Sequence, residues 1–166
     1  MLLNIDKHDA SSLAVIDSAG DELSYRDLIL FSGEIKEMLP SRTVAFVLSG
    51  NNVGGIAWTI GLIHAGIIPL LLNPQIDQEL FEKLYDLYKP SFLCVSAKNS
   101  ENYGFGCRLE RWGYFLLETG NSGYPVYEKL SHLLPTSGST GSPKLVRHSY
   151  ENIESSALNI STFFNL

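Results

Sequence analysis

With 166 residues, 45% of them hydrophobic and 18% charged, the chain has the composition of one globular domain and not of a disordered or fibrous protein. Its net charge of −6, with 12 scattered basic residues, excludes a general nucleic-acid binder, because phosphate backbones demand clustered lysine and arginine. Cys94 and Cys107 make neither a disulfide framework nor a zinc spacing, and the N-terminus lacks a signal peptide's basic-then-apolar order, so a cytoplasmic setting is expected.

The first segment is acid-rich, and Asp6, Asp9, Asp17, Asp21 and Glu22 read as a solvated surface. After Ser24, a suitable helix cap, Leu28, Phe31, Ile35 and Leu39 recur at helical spacing. The run TVAFVL, Thr43 to Leu48, predicts a strand buried on both faces. SGNN then turns the chain, and Val53 to Ala65 predicts a helix stopped by Gly66. Residues 53–72 carry no formal charge unless His64 is protonated, and twenty helical residues would span a bilayer core of roughly 30 Å. Four glycines, Pro69 and the lack of flanking basic clusters favour a buried helix and strand, so no membrane contact is expected. His64 then reads as a core or interface residue.

In IIPLLL, Pro69 predicts a strand at a sheet edge or with an irregular start. Leu80, Leu84, Leu87 and Tyr88 predict a further helix, and SFLCV the next strand, with Cys94 a small core residue. Strand–helix–strand–helix–strand implies an α/β fold, a mostly parallel sheet flanked by helices, with right-handed crossovers. Residues 99–127 hold five glycines and four tyrosines and predict turns around one strand, YFLLET. HLLPTSG and KLVRHS read as strands, and a final helix covers roughly Tyr150 to Phe164. Trp58 and Trp112 are expected to pack, and no pair of carboxylates has a spacing that argues for acid–base work or metal binding.

Between the last two strands lies LLPTSGSTGSPKLV, Leu133 to Val146. Gly138 and Gly141 let a ligand approach the main chain, and successive N–H groups in such a turn form an anion-binding concavity. The hydroxyls of Thr136, Ser137, Ser139 and Thr140 can donate to phosphate oxygens, and Lys144 adds a point charge. The spacing is not that of a Walker loop. The other reading is a Ser/Gly-rich linker, and the residues alone leave both open.

LLPTSGSTGSPKLV closely resembles the phosphate-loop signature of the adenylate-forming enzymes: acyl-CoA synthetases, luciferases and the adenylation domains of peptide synthetases. There the pattern runs hydrophobic, Thr-Ser-Gly-Thr/Ser-Thr-Gly, any residue, Pro-Lys-Gly-Val. LSYRDL, Leu23 to Leu28, is similar to the family's early Leu-Thr/Ser-Tyr-x-Glu-Leu motif. LIHAGIIPLLLNP, Leu62 to Pro74, is similar to its Lys-Ala-Gly-Ala-x-x-x-Pro-Leu-x-Pro region. The three stretches fall in the family's order across nearly the whole chain.

The resemblance implies a two-step ligation. ATP and a carboxylic acid give an acyl-adenylate and pyrophosphate, and the acyl group then passes to a thiol of coenzyme A or a carrier protein. It implies that Thr136, Ser137, Gly138, Ser139, Thr140, Gly141 and Lys144 contact the phosphates of ATP, accompanied by Mg²⁺. Leu145 replaces the glycine that usually follows the lysine, and Ser149-Tyr150 replace a Thr/Ser-His pair, which leaves the acid undefined. His148 is one position early and does not substitute for that histidine. The family's adenine-binding strand, ribose-binding aspartate and catalytic lysine come after the phosphate loop. Residues 1–166 are therefore expected to be the N-terminal portion of the large domain of such a ligase, without catalytic residues, inactive alone and inclined to self-associate through apolar surface. The alternative is a non-catalytic binding or assembly module that keeps the fold.

Overall fold

The computed structural model describes residues 2–136 and 144–165. Near the start, β1 (Leu13–Ile16) and β2 (Glu22–Ser24) pair antiparallel as a separate two-stranded ribbon. Ser24 caps α1 (Tyr25–Met38): its Oγ accepts from the Asp27 backbone N–H at 3.2 Å, and the Asp27 carboxylate accepts from the Ser24 N–H at 2.8 Å. The expected stripe of Leu28, Phe31, Ile35 and Leu39 is buried throughout.

The chain then alternates as expected through β3 (Val44–Leu48), α2 (Val53–His64), β4 (Ile68–Leu72), α3 (Gln78–Tyr88) and β5 (Phe92–Ser96). A hairpin follows, β6 (Gly106–Arg111) and β7 (Tyr114–Glu118), turning at Trp112 and Gly113, both with positive φ. Next come β8 (Leu130–Pro135), β9 (Leu145–Ser149) and α4 (Tyr150–Phe164). Seven strands form one sheet in the order β6-β7-β5-β3-β4-β8-β9. Its centre, β5-β3-β4-β8, is parallel; only β7 and β9 run against the other five strands.

The crossover through α2 moves one way across the sheet, from β3 to β4, and the crossover through α3 returns past β3 to β5. Ala45, Val47 and Cys94 cluster with Trp58 and Leu62 of α2, whereas Phe46, Leu70 and Leu93 cluster with Phe81 and Leu84 of α3. Direction and face reverse together, so both crossovers share one hand, as parallel units require. Phe31 of α1 meets Trp58 edge-on, with ring centroids 4.9 Å apart. Gly61 admits that ring, since a Cβ there would lie 2.8 Å from it. Each such fully buried aromatic or leucine contributes about 1.5–3 kcal/mol. Among the described residues no helix is long and apolar enough to cross a membrane.

Some expectations change. Pro69 lies not at an edge but in β4, between β3 and β8. The Ile68 N–H donates to Thr43 on the β3 side, so alternation turns the Pro69 nitrogen toward β8, where register pairing is recorded only at Leu70–Leu133. Proline has no N–H to donate there, so the β4–β8 ladder is confined to the Leu70–Leu133 pair. On α3 the buried stripe is Phe81 and Leu84, and Leu87 is exposed. Residues 99–127 hold two strands and not one, because GCRLER forms an exposed edge strand with no apolar run to reveal it.

Candidate functional site

Because β5, β3, β4 and β8 are parallel, their carboxyl ends share one edge of the sheet, the edge at which open α/β folds bind ligands. β8 ends there in Pro135, paired with Leu145 at the start of β9. One step further, Thr136 closes the ladder: its N–H and its Oγ1 both donate to the Lys144 carbonyl, at 2.9 and 3.1 Å. Thr136 and Lys144 are both exposed. Of the sequence-predicted phosphate contacts, these two form the mouth of a hairpin, while Ser137, Gly138, Ser139, Thr140 and Gly141 lie outside the described residues. The segment joins two paired strands, so it is not a linker leading out of the fold.

Neighbouring elements fix this hairpin. The Arg42 guanidinium donates to the carbonyls of Tyr127 and Leu130, holding the start of β8, and Leu133 pairs with Leu70 of β4. At the same sheet edge, the N-terminus of α2 is capped twice. Asn52 Oδ1 accepts from the Gly55 N–H at 2.8 Å, and the Asp17 carboxylate accepts from the Val53 N–H at 3.1 Å. That bond, helped by turn amides of Ala19, Gly20 and Asp21, holds the Asp17 carboxyl below its ordinary range. Asp17 is thus a structural cap and not merely solvated acid. A cavity of about 280 Å³ opens beside this helix start, lined among others by Ser49, Gly50, Asn51, Thr59 and Leu72.

Sequence reasoning missed a histidine pair. His132 of β8 and His148 of β9 stack across the ladder, centroids 4.6 Å apart. Ser131 Oγ donates to the His148 carbonyl at 2.8 Å, so its 3.0 Å contact with His132 Nδ1 is an N–H donated by the ring. Burial, and then the charge of His148, push the His132 pKa down to about 4. Hairpin register could have revealed the pair, since the two residues stand four steps back from Thr136 and four steps on from Lys144. Below them Ser149 caps α4, and the Tyr150 hydroxyl donates to the Ile63 carbonyl at 3.4 Å. Cys94 is fully buried, which pushes its thiol well up.

The sequence matches no protein-family model and no curated protein. Its architecture, however, covers 100% of the chain against apo MatB from Rhodopseudomonas palustris, with a TM-score of 0.76 at 18% identity. The fold is that of adenylate-forming ligases. ATP-bound MatB from the same organism superposes with a TM-score of 0.75 at 17% identity over 99% of the chain. O-succinylbenzoate coenzyme A synthetase (MenE) from Bacillus subtilis, in complex with AMP, gives 0.70 at 18% identity, again over 99%. The chain spans 38%, 37% and 46% of those three chains respectively.

Proposed function

We propose that residues 1–166 are the N-terminal portion of the large domain of an AMP-forming ligase, which activates a carboxylic acid with ATP for transfer to a thiol of coenzyme A or a carrier protein. The observation that carries this reading is the hairpin mouth: Thr136 and Lys144 bracket the Ser/Gly-rich loop at the carboxyl edge of the sheet, beside β4. In this reading Thr136, Ser137, Gly138, Ser139, Thr140, Gly141 and Lys144 hold the β- and γ-phosphates of ATP. Adenylyl transfer depends mainly on positioning and charge stabilisation, and backbone amides with one lysine supply both.

In this reading Mg²⁺ would accompany the phosphates of the nucleotide. There it would neutralise the charge of the departing pyrophosphate. The acid and the thiol are bound elsewhere in such a ligase. In this reading the loop binds the phosphates, and residues 1–166 do not complete the reaction alone.

The deciding measurement is carboxylate-dependent exchange of pyrophosphate into ATP by the protein read from the whole reading frame, with Lys144→Ala alongside. Exchange with at least one acid, lost in Lys144→Ala, is expected. No exchange across a broad panel of acids would sink the ligase reading and leave the binding or assembly module.

A further inference from the structure

We propose that the cavity between α3 and the segment following β5 binds a quaternary ammonium ion. It lies on the α3 face of the sheet and has a volume of about 310 Å³. Phe81, Tyr85, Tyr103 and Phe105 line it with aromatic rings, and the exposed Glu82 and Asp86 add two carboxylates. Phe81 is almost fully buried and stands 5.6 Å from Tyr103 and 6.0 Å from Tyr85, centroid to centroid. Tyr85 and Phe105 lie nearly parallel, 15° apart in plane. Asn121 donates to the Tyr85 hydroxyl and to the Pro90 carbonyl, each at 3.1 Å, so the Tyr85 ring is fixed before any ligand arrives.

A ring face carries the negative lobe of the ring quadrupole, so a cation that gives up its water easily is attracted wherever it meets the face of Tyr85, Tyr103 or Phe105. An ammonium or guanidinium with free N–H groups would lose hydrogen bonds there, whereas a fully methylated nitrogen has none to lose. The carboxylates complete the selection. Among the described residues neither is in an ion pair: Glu82 accepts only from the Gln78 side chain, and Lys83 is engaged by Glu79. A neutral ligand of the same shape would gain nothing from Asp86 or from the ring quadrupoles.

The test is a proton NMR titration of the 166-residue chain with choline and with trimethyllysine as an N-acetyl amide. The neutral choline isostere 3,3-dimethyl-1-butanol serves as control. Saturable binding of at least one cation is expected, with upfield N-methyl shifts from the rings, and the isostere should bind several-fold more weakly. Preference for choline marks a free small molecule, preference for trimethyllysine a modified side chain, and either supports the site. Asp86→Asn, an exposed change that leaves the fold intact, should weaken cation binding by about 2–5-fold and leave the isostere unaffected. Tyr103→Leu should weaken it further. Equal binding of cation and isostere, or no saturable binding, overturns the proposal.

Discussion

His132 and His148 lie face to face across the β8–β9 ladder, their ring planes 5° from parallel. Protonating one ring places a charge against the other in a half-buried site. The neutral form of His132 is therefore favoured in the fold, with its pKa down at about 4 against an ordinary 6.5. The sign follows from linkage. Between those values the unfolded chain holds a proton that the native chain does not, so stability is full above pH 6.5 and is lost as pH falls toward about 4. Urea midpoints at pH 7.5 and 5 should show a larger drop for the native sequence than for His132→Gln. Equal drops would remove His132 from the explanation.

At the hairpin mouth, Thr136→Val keeps the backbone bond to Lys144 and deletes the hydroxyl bond. Nucleotide affinity, followed by phosphorus NMR, should weaken about 2–5-fold, the effect of one ordinary hydrogen bond. Lys144→Ala removes a charge and should cost roughly tenfold or more. A Lys144→Ala protein that binds ATP unchanged would separate the loop from phosphate.

Gly54 and Gly33 are both helical glycines and should respond oppositely to alanine. A Cβ on Gly54 would lie 2.5 Å from the Trp112 carbonyl and 2.8 Å from the Tyr114 ring, whereas one on Gly33 meets nothing within 4 Å. Gly33→Ala should stabilise by about 0.5–1 kcal/mol through helix propensity. Gly54→Ala should destabilise by about 1–3 kcal/mol, since the carbonyl cannot move aside without shifting the β6–β7 turn. Denaturant titration of the two variants gives both signs.

No residue of α4 is buried, and Leu158, Ile160, Phe163 and Phe164 are exposed. Apolar surface of this kind seeks a cover. The chain is expected to self-associate, with sedimentation showing a mass that rises with concentration, and Phe163→Glu with Phe164→Glu should restore the monomer. A native chain that sediments as a monomer at every concentration would contradict this.

Much of the fold was legible in the sequence because β3, β4 and β5 are buried on both faces, and burial writes itself as unbroken apolar runs. α1 was legible through its serine cap and its apolar stripe. What escaped depends on partners distant in the chain. GCRLER is a strand only because β7 pairs with it, and Asp17 caps a helix that begins 36 residues later. Pro69 suggests an edge until the neighbouring strand is known to pair just beyond it. The Ser/Gly-rich segment between β8 and β9 was legible as a pattern resembling a phosphate loop, whereas the His132–His148 stack depended on hairpin register.

The attachment of β8 has a kinetic meaning. Its recorded register with the parallel core is the single pair Leu70–Leu133, between strands far apart in sequence, and Arg42 supplies the other anchor. Loop-closure entropy must be met before that contact forms, so the β8–β9 hairpin should join the sheet last during refolding. A nucleotide gripping the hairpin would then do more than occupy a site: it would latch the last-formed element of the domain, and slower amide exchange in β8 would report it.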